Sequence, residues 1–138
     1  MYRLLAAVAL IAFAAPAAAA PLTIAFKGLA TPTGAILVSV FDSETAFDQG
    51  GKPFASRMVA VSGAIAEIAV GDLPPGRYAV KAFHDIDGDG KMASNPFGIP
   101  LEPFAFSNDA VGEAGPAKWA AAAFTVDAAT SRHTITIR

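Results

Sequence analysis

The sequence predicts an all-β domain, a single antiparallel β-sandwich of about seven short strands. Three observations lead there. Apolar residues recur at every second position in several stretches, as in Leu22, Ile24 and Phe26 or His133, Ile135 and Ile137. Glycine and proline, 12 and 10 in number, cluster between those stretches and supply the turns that short strands need. Beyond the first 20 residues, no segment carries the long 3.6-residue apolar repeat of an extended amphipathic helix.

Residues 1–20 are set apart from the domain. They hold one cation, Arg3, then an apolar run from Leu4 to Ala15, then Pro16 and four alanines. This is the three-part pattern of a secretory signal peptide, and the run is shorter than the roughly 20 residues of a membrane span. Cleavage is expected after Ala18, Ala19 or Ala20, with Pro21 disfavouring the last. The chain has no cysteine, so it cannot take a lipid-anchored route that needs one at the cut. The expected product is periplasmic or secreted, with no stable membrane anchor after signal cleavage. Residues 21–138 then form one domain held by apolar burial without disulfides. Twelve acidic residues oppose ten basic ones, a net charge of −2, so no basic patch calls for nucleic acid.

The elements follow in order. Leu22, Ile24 and Phe26 alternate with Thr23, Ala25 and Lys27 and predict a half-buried strand. Gly28 to Gly34 turns the chain. Ala35 to Phe41 is apolar on both faces, which suits a central strand. In the excursion from Asp42 to Gly51, Ser43 is placed to cap a single helical turn ending at Gly50 and Gly51. Arg57 to Val61 and Ala64 to Val70 predict two strands around a hairpin turn at Ser62-Gly63. Gly71 to Gly76, with Pro74 and Pro75, is a further turn. Arg77 to His84 comes next, with Tyr78, Val80 and Ala82 on one face and Arg77, Ala79, Lys81 and Phe83 on the other. Tyr78 is placed to act as a tyrosine corner, its hydroxyl reaching back to the turn. After a long loop at 85–118, Ala121 to Val126 and His133 to Ile137 supply the last strands. The alanines between Lys118 and Phe124 also suit a helix, but a strand there gives Phe124 to Val126 and the final alternation a partner.

The long loop carries the explicit chemistry. Asp85, Asp87 and Asp89 stand at alternate positions and Gly90 closes them, as in a calcium loop, where oxygens converge and a glycine permits the bend. Lys91 would add its backbone carbonyl. Position nine is Ala93 and position twelve is Pro96, so the bidentate glutamate of an EF-hand is missing and further oxygens must come from elsewhere. Glu102 is the leading donor, with Asn95, Asn108 and Asp109 also in reach. The predicted metal set is Asp85, Asp87, Asp89, Lys91 and Glu102, and the predicted ion is calcium, bound on the order of 10⁻⁴ to 10⁻³ M as in extracellular modules. A solvated acidic turn is the alternative, because Asp and Gly also favour turns. Asp85, Asp87, Asp89, Glu102, Asp109 and Glu113 share a span whose only cation is Lys91, so a local negative field is expected.

Phe97, Ile99, Leu101, Phe104 and Phe106 make the rest of this loop too apolar to lie in water, and it is expected to pack over an open end of the sandwich. Phe97, Phe104, Phe106 and Trp119 could instead line a carbohydrate or peptide groove. A hydrolase built on His84 is disfavoured, because adjacent strand residues point to opposite faces and His84 and Asp85 then make a poor base-and-orienter pair.

The run from Gly76 to Asn108 carries Tyr78, His84-Asp85-x-Asp87-Gly88-Asp89-Gly90-Lys91, Gly98-Ile99-Pro100, Glu102-Pro103 and Phe106-Ser107-Asn108. Gly115-Pro116 and Trp119 follow. Together these resemble the bacterial domain-of-unknown-function family 2141 of small exported proteins. The resemblance implies a single exported β-sandwich without an established activity. Ala93 stands where the family often has an aspartate, which removes one potential oxygen ligand, and Ala105 stands where a glycine precedes Phe-Ser-Asn. The segment Leu73-Pro74-Pro75-Gly76-x-Tyr78 is also similar to that of transthyretin-like and collagen-adhesin B-type sandwiches, so an immunoglobulin-like or transthyretin-like arrangement is expected. The leading functional expectation is a non-catalytic binding or structural module with a protein or glycan partner.

Overall fold

The computed structural model describes residues 20–130 and 132–138. The expected signal peptide thus falls, up to residue 19, outside the described residues. The described chain is mostly β, with strands β1 (Ala20–Lys27), β2 (Ala35–Phe41), β3 (Ala55–Ala60), β4 (Ile65–Leu73), β5 (Gly76–Asp85), β6 (Phe104–Phe106), β7 (Phe124–Val126) and β8 (Arg132–Thr136). Two short helices, α1 (Glu44–Gln49) and α2 (Trp119–Ala122), interrupt them.

The strands form two sheets, one of three strands in the order β4-β1-β8 and one of five. In the larger sheet β2 lies between β3 and β5, while β6 and β7 share the other edge of β5. The pleat directs alternate side chains inward from both sheets. Leu22, Ile24 and Phe26 of β1, Ile36, Val38 and Val40 of β2, Tyr78 and Val80 of β5, and Ile135 of β8 meet in one buried cluster. Tyr78 closes one end as expected, its hydroxyl donating to the Pro74 carbonyl at 2.7 Å. Ser43 caps α1 by accepting from the Ala46 N–H, and Gly50 ends the helix in the left-handed region.

Four expectations are corrected. The sheets are not wholly antiparallel, because β1 pairs with β8 in parallel. The stretches around Ser62-Gly63 are not a hairpin: β3 pairs with β2, and β4 pairs with β1. Crossing between sheets lets each extend a different edge and carries Val61 into the core, its N–H held by the Gly34 carbonyl at 3.0 Å. The strand expected from Ala121 shortens to Phe124–Val126, because Trp119–Ala122 is a helical turn, as its alanines favour. The long loop contributes a strand of its own, β6.

The helices cover part of the outer face of the five-stranded sheet. Phe47 of α1 is fully buried against Phe41, Phe106 and Trp119, with ring centroids 5.4, 6.2 and 6.1 Å away. Ala79, Ala117 and Ala122 complete this second core. The Asp48 carboxylate accepts the Trp119 N–H at 2.9 Å and ties the two helices together.

Candidate functional site

β5 ends in His84 and Asp85, and both are buried. Nε2 of His84 lies 2.6 Å from the Thr33 carbonyl, which can only accept, so this nitrogen carries a proton and anchors the turn before β2. The Asp85 carboxylate instead accepts the N–H groups of Gly88 and Gly90 at 2.8 and 2.9 Å. Each of the two side chains has its own backbone partner, so the base-and-orienter pair of a hydrolase is not assembled.

The acidic loop is built by its own side chains. Asp87 accepts from the Asp89 N–H at 3.1 Å, and Asp89 accepts from the Lys91 N–H at 2.7 Å. These local bonds, with Gly88 and Gly90 at positive φ, wind the chain tightly and bring three carboxylates together. One oxygen from each of Asp85, Asp87 and Asp89 lies within 4.8 Å of the others. Burial pushes the Asp85 carboxyl up, but the N–H groups of Gly90 and Gly88, the Asp87 side chain and the Asp89 N–H together hold it below its ordinary value. Asp87 is the reverse. The Asp89 N–H pulls it down, yet burial, the charge of Asp89, the contact with Asp85 and the charge of Glu102 leave it raised. Crowded negative charge of this kind is relieved by a cation.

Glu102 clasps both ends of the loop. Its Oε1 accepts the Ile86 N–H and its Oε2 the Ala93 N–H, each at 3.0 Å, and the side chain is nearly buried. Among the described residues, the clustered carboxylates are those of the three aspartates alone. Three oxygens fit a hard cation, which asks for six to eight at 2.3–2.6 Å, so carbonyls and water must supply the rest. Asn95 serves its own turn, its Oδ1 accepting the N–H groups of Phe97 and Ile99 at 2.9 and 3.0 Å.

The apolar segment divides. Phe106 and Trp119 are buried, but Phe97, Ile99 and Leu101 are 88%, 58% and 66% exposed. This corrects the expectation that the segment packs. Residues 93–101 close their hydrogen bonds internally, with Asn95 N–H on the Ile99 carbonyl at 2.9 Å and Leu101 N–H on the Ala93 carbonyl at 2.8 Å, and so form a hairpin with bare apolar side chains. Phe97, Phe104 and Phe106 border a cavity of about 620 Å³ on the outer face of the five-stranded sheet, and Trp119 does not. The sequence reading missed this cavity and the charged residue in its lining, Lys81.

A family model with the description "Uncharacterized protein conserved in bacteria (DUF2141)" matches residues 24–134. The chain belongs to this family. No curated protein and no solved structure matches it.

Two parts of the DUF2141 resemblance now have physical roles. The acidic run after His84 forms the carboxylate loop. The Phe106-Ser107-Asn108 run joins separate elements: the buried Ser107 hydroxyl accepts the Val80 N–H at 2.8 Å and donates to the Ala122 carbonyl at 2.6 Å. Asn108, at φ 60°, donates its side-chain amide to the carbonyls of Ala121 and Ala123. Asp109 then accepts both the N–H and the hydroxyl of Thr136 on β8, at 2.7 and 3.0 Å. Ala105, between Phe104 and Phe106, is buried in the main core.

Proposed function

We propose that this chain is an exported, non-catalytic β-sandwich of the immunoglobulin-like or transthyretin-like kind, periplasmic or secreted after cleavage of residues 1–20. Its acidic loop binds calcium and presents a surface to a protein or glycan partner. The observation that supports the ion is the convergence of Asp85, Asp87 and Asp89 oxygens within 4.8 Å. In this reading the carbonyl of Lys91 and a spare lone pair of Glu102 serve as further donors. Two sheets around one core support the sandwich. The signal-like pattern of residues 1–20 supports export.

The test is thermal unfolding of the purified protein in excess chelator, in millimolar calcium and in millimolar magnesium, with Asp87→Asn alongside. Binding to the native state alone stabilises by RT ln(1 + [L]/Kd), about 1.4 kcal/mol at a tenfold excess over Kd. The expected outcome is a calcium-specific rise in Tm that the substitution removes. Equal Tm values in all three buffers would reduce the three aspartates to a solvated turn.

A further inference from the structure

The outer face of the five-stranded sheet is covered at one end by α1 and α2 and faced at the other by the hairpin at 93–101. The cavity of about 620 Å³ lies between, in the size range of small-molecule pockets. Two cross-strand rows make its floor: Leu37, Phe83 and Phe104 in one, and Ser39, Lys81 and Phe106 in the other. Phe97 and Ile99, largely bare to water, form part of its rim.

Lys81 is the charged residue in this apolar lining. Its Nζ donates to the Phe47 carbonyl and sits over the rings of Phe47 and Phe41, 4.5 and 5.2 Å from their centroids. One of its three N–H groups is thereby engaged. Among the described residues the one ion pair is Arg132 with Glu67, so no carboxylate is paired with Lys81. Burial holds its ammonium below the ordinary lysine range, the charge of Asp48 opposes that shift, and the charge of Lys118 adds to it. A half-buried cation in no ion pair among the described residues, at the edge of an apolar cavity with an open apolar rim, complements a molecule with one anionic end and a hydrocarbon body.

We propose that this cavity is a binding site for a small apolar monocarboxylate of the medium-chain fatty-acid class, its carboxylate on Lys81 and its chain along Leu37, Phe83 and Phe104 beneath Phe97. The site is separate from the acidic loop and does not depend on calcium.

The test is calorimetric titration of the purified protein, in chelator, with octanoate, octan-1-ol and octylammonium. Octanoate is expected to bind about tenfold more tightly than octan-1-ol, the difference a charge-assisted hydrogen bond supplies, and octylammonium more weakly than either. Lys81→Met should bring octanoate down to the affinity of octan-1-ol. Octan-1-ol or octylammonium binding as tightly as octanoate would overturn the proposal, as would no binding of any of the three. If Lys81→Met does not fold, Ser39→Phe decides, because it fills the floor beside Lys81 and leaves the ammonium's bond to Phe47 in place. Loss of octanoate binding in that variant supports the site, and unchanged affinity overturns it.

Discussion

The Ser107 hydroxyl accepts the Val80 N–H at 2.8 Å at the point on β5 where pairing with β7 ends and pairing with β6 begins. A buried edge cannot leave an amide without a partner, and neither short strand reaches this one. Ser107→Ala orphans both the Val80 N–H and the Ala122 carbonyl. The expected cost is roughly 2–4 kcal/mol, from two buried groups left unsatisfied. Urea unfolding measures it, and a loss below about 0.5 kcal/mol would show that water or backbone movement replaces the hydroxyl.

Glu102 joins Ile86 to Ala93 and so closes the acidic loop at its base. Glu102→Ala frees both amides while leaving the two sheets intact. Hydrogen exchange should accelerate at Ile86 and Ala93 and stay unchanged at Val38 and Val80. Calcium affinity should fall in the same variant, because the three aspartates lose their frame. Unchanged exchange at Ile86 would mean the loop holds itself.

Gly34 and Gly50 separate strain from collision. Both have positive φ, at 75° and 71°. A Cβ on Gly34 would lie 2.1 Å from the Asp85 carbonyl oxygen, whereas one on Gly50 meets nothing within 4 Å. Gly50→Ala should cost about 1 kcal/mol, the left-handed penalty alone. Gly34→Ala should cost roughly 3 kcal/mol or more and displace the start of the acidic loop. Chemical denaturation of the two variants compares them directly, and equal costs would show that the Asp85 carbonyl yields.

Stability should fall in two separate acid steps. His133 stacks on Phe124 with centroids 3.9 Å apart, and its Nε2 accepts the Asn108 N–H at 3.2 Å, so the ring is neutral there. Burial lowers its pKa from 6.5, against the opposing charge of Asp109. The unfolded chain therefore takes up a proton first, and stability held above pH 6.5 declines as pH falls from there through the folded value. Asp109 supplies the second step. Burial pushes its carboxyl up, but the N–H and hydroxyl of Thr136 and the charges of Arg138 and Lys27 leave it below 3.8. Its contribution is complete above pH 3.8 and is lost as pH drops through the lower folded value. Urea midpoints across pH 2 to 8 should lose the upper step in His133→Gln and show a smaller lower one in Asp109→Asn, with Asp85 and Asp127, also held below their ordinary values, supplying the remainder. A wild-type profile flat between pH 5 and 7 would exclude the histidine term.

Ala20 already pairs with Leu73 in β1. Cleavage after Ala18 or Ala19 keeps that pair, whereas cleavage after Ala20 removes it and leaves proline first. Under the export proposed above, N-terminal sequencing of the mature protein should therefore read Ala19 or Ala20. A start at Pro21 would show that the pair is dispensable.

What the sequence made legible follows from local rules. Leu22 to Phe26 and Arg77 to His84 alternate because the pleat imposes a period of two, and Ser43 and Tyr78 advertise bonds to backbone a few residues away. The three aspartates were visible for the same reason, since their convergence is a property of one turn. Pairing was not legible. Ser62-Gly63 says that the chain bends but not which neighbour each flanking strand will choose. Phe104 to Phe106 is too short to display a period, and Trp119 to Ala122 has a helical composition with only one turn to express it. Lys81 looked like an outward strand residue, because Phe47 and Phe41, which surround its ammonium, come from other elements. Phe97, Ile99 and Leu101 looked like core because composition does not reveal that Asn95 and Pro100 fold their segment on itself.

The parallel pairing of β1 with β8 joins the first described strand to the last. A chain emerging from its N-terminus carries Leu22, Ile24 and Phe26 unprotected on one side until Ile135 arrives. Sequence-distant closure of this kind slows folding and postpones commitment to the native state. For a protein proposed to be exported, that delay has a use: the polypeptide stays threadable while its final residues are still being made. The same geometry makes β8 a latch, so its removal should leave the other edge of β1 open and Leu22, Ile24 and Phe26 without their cover from Ile135.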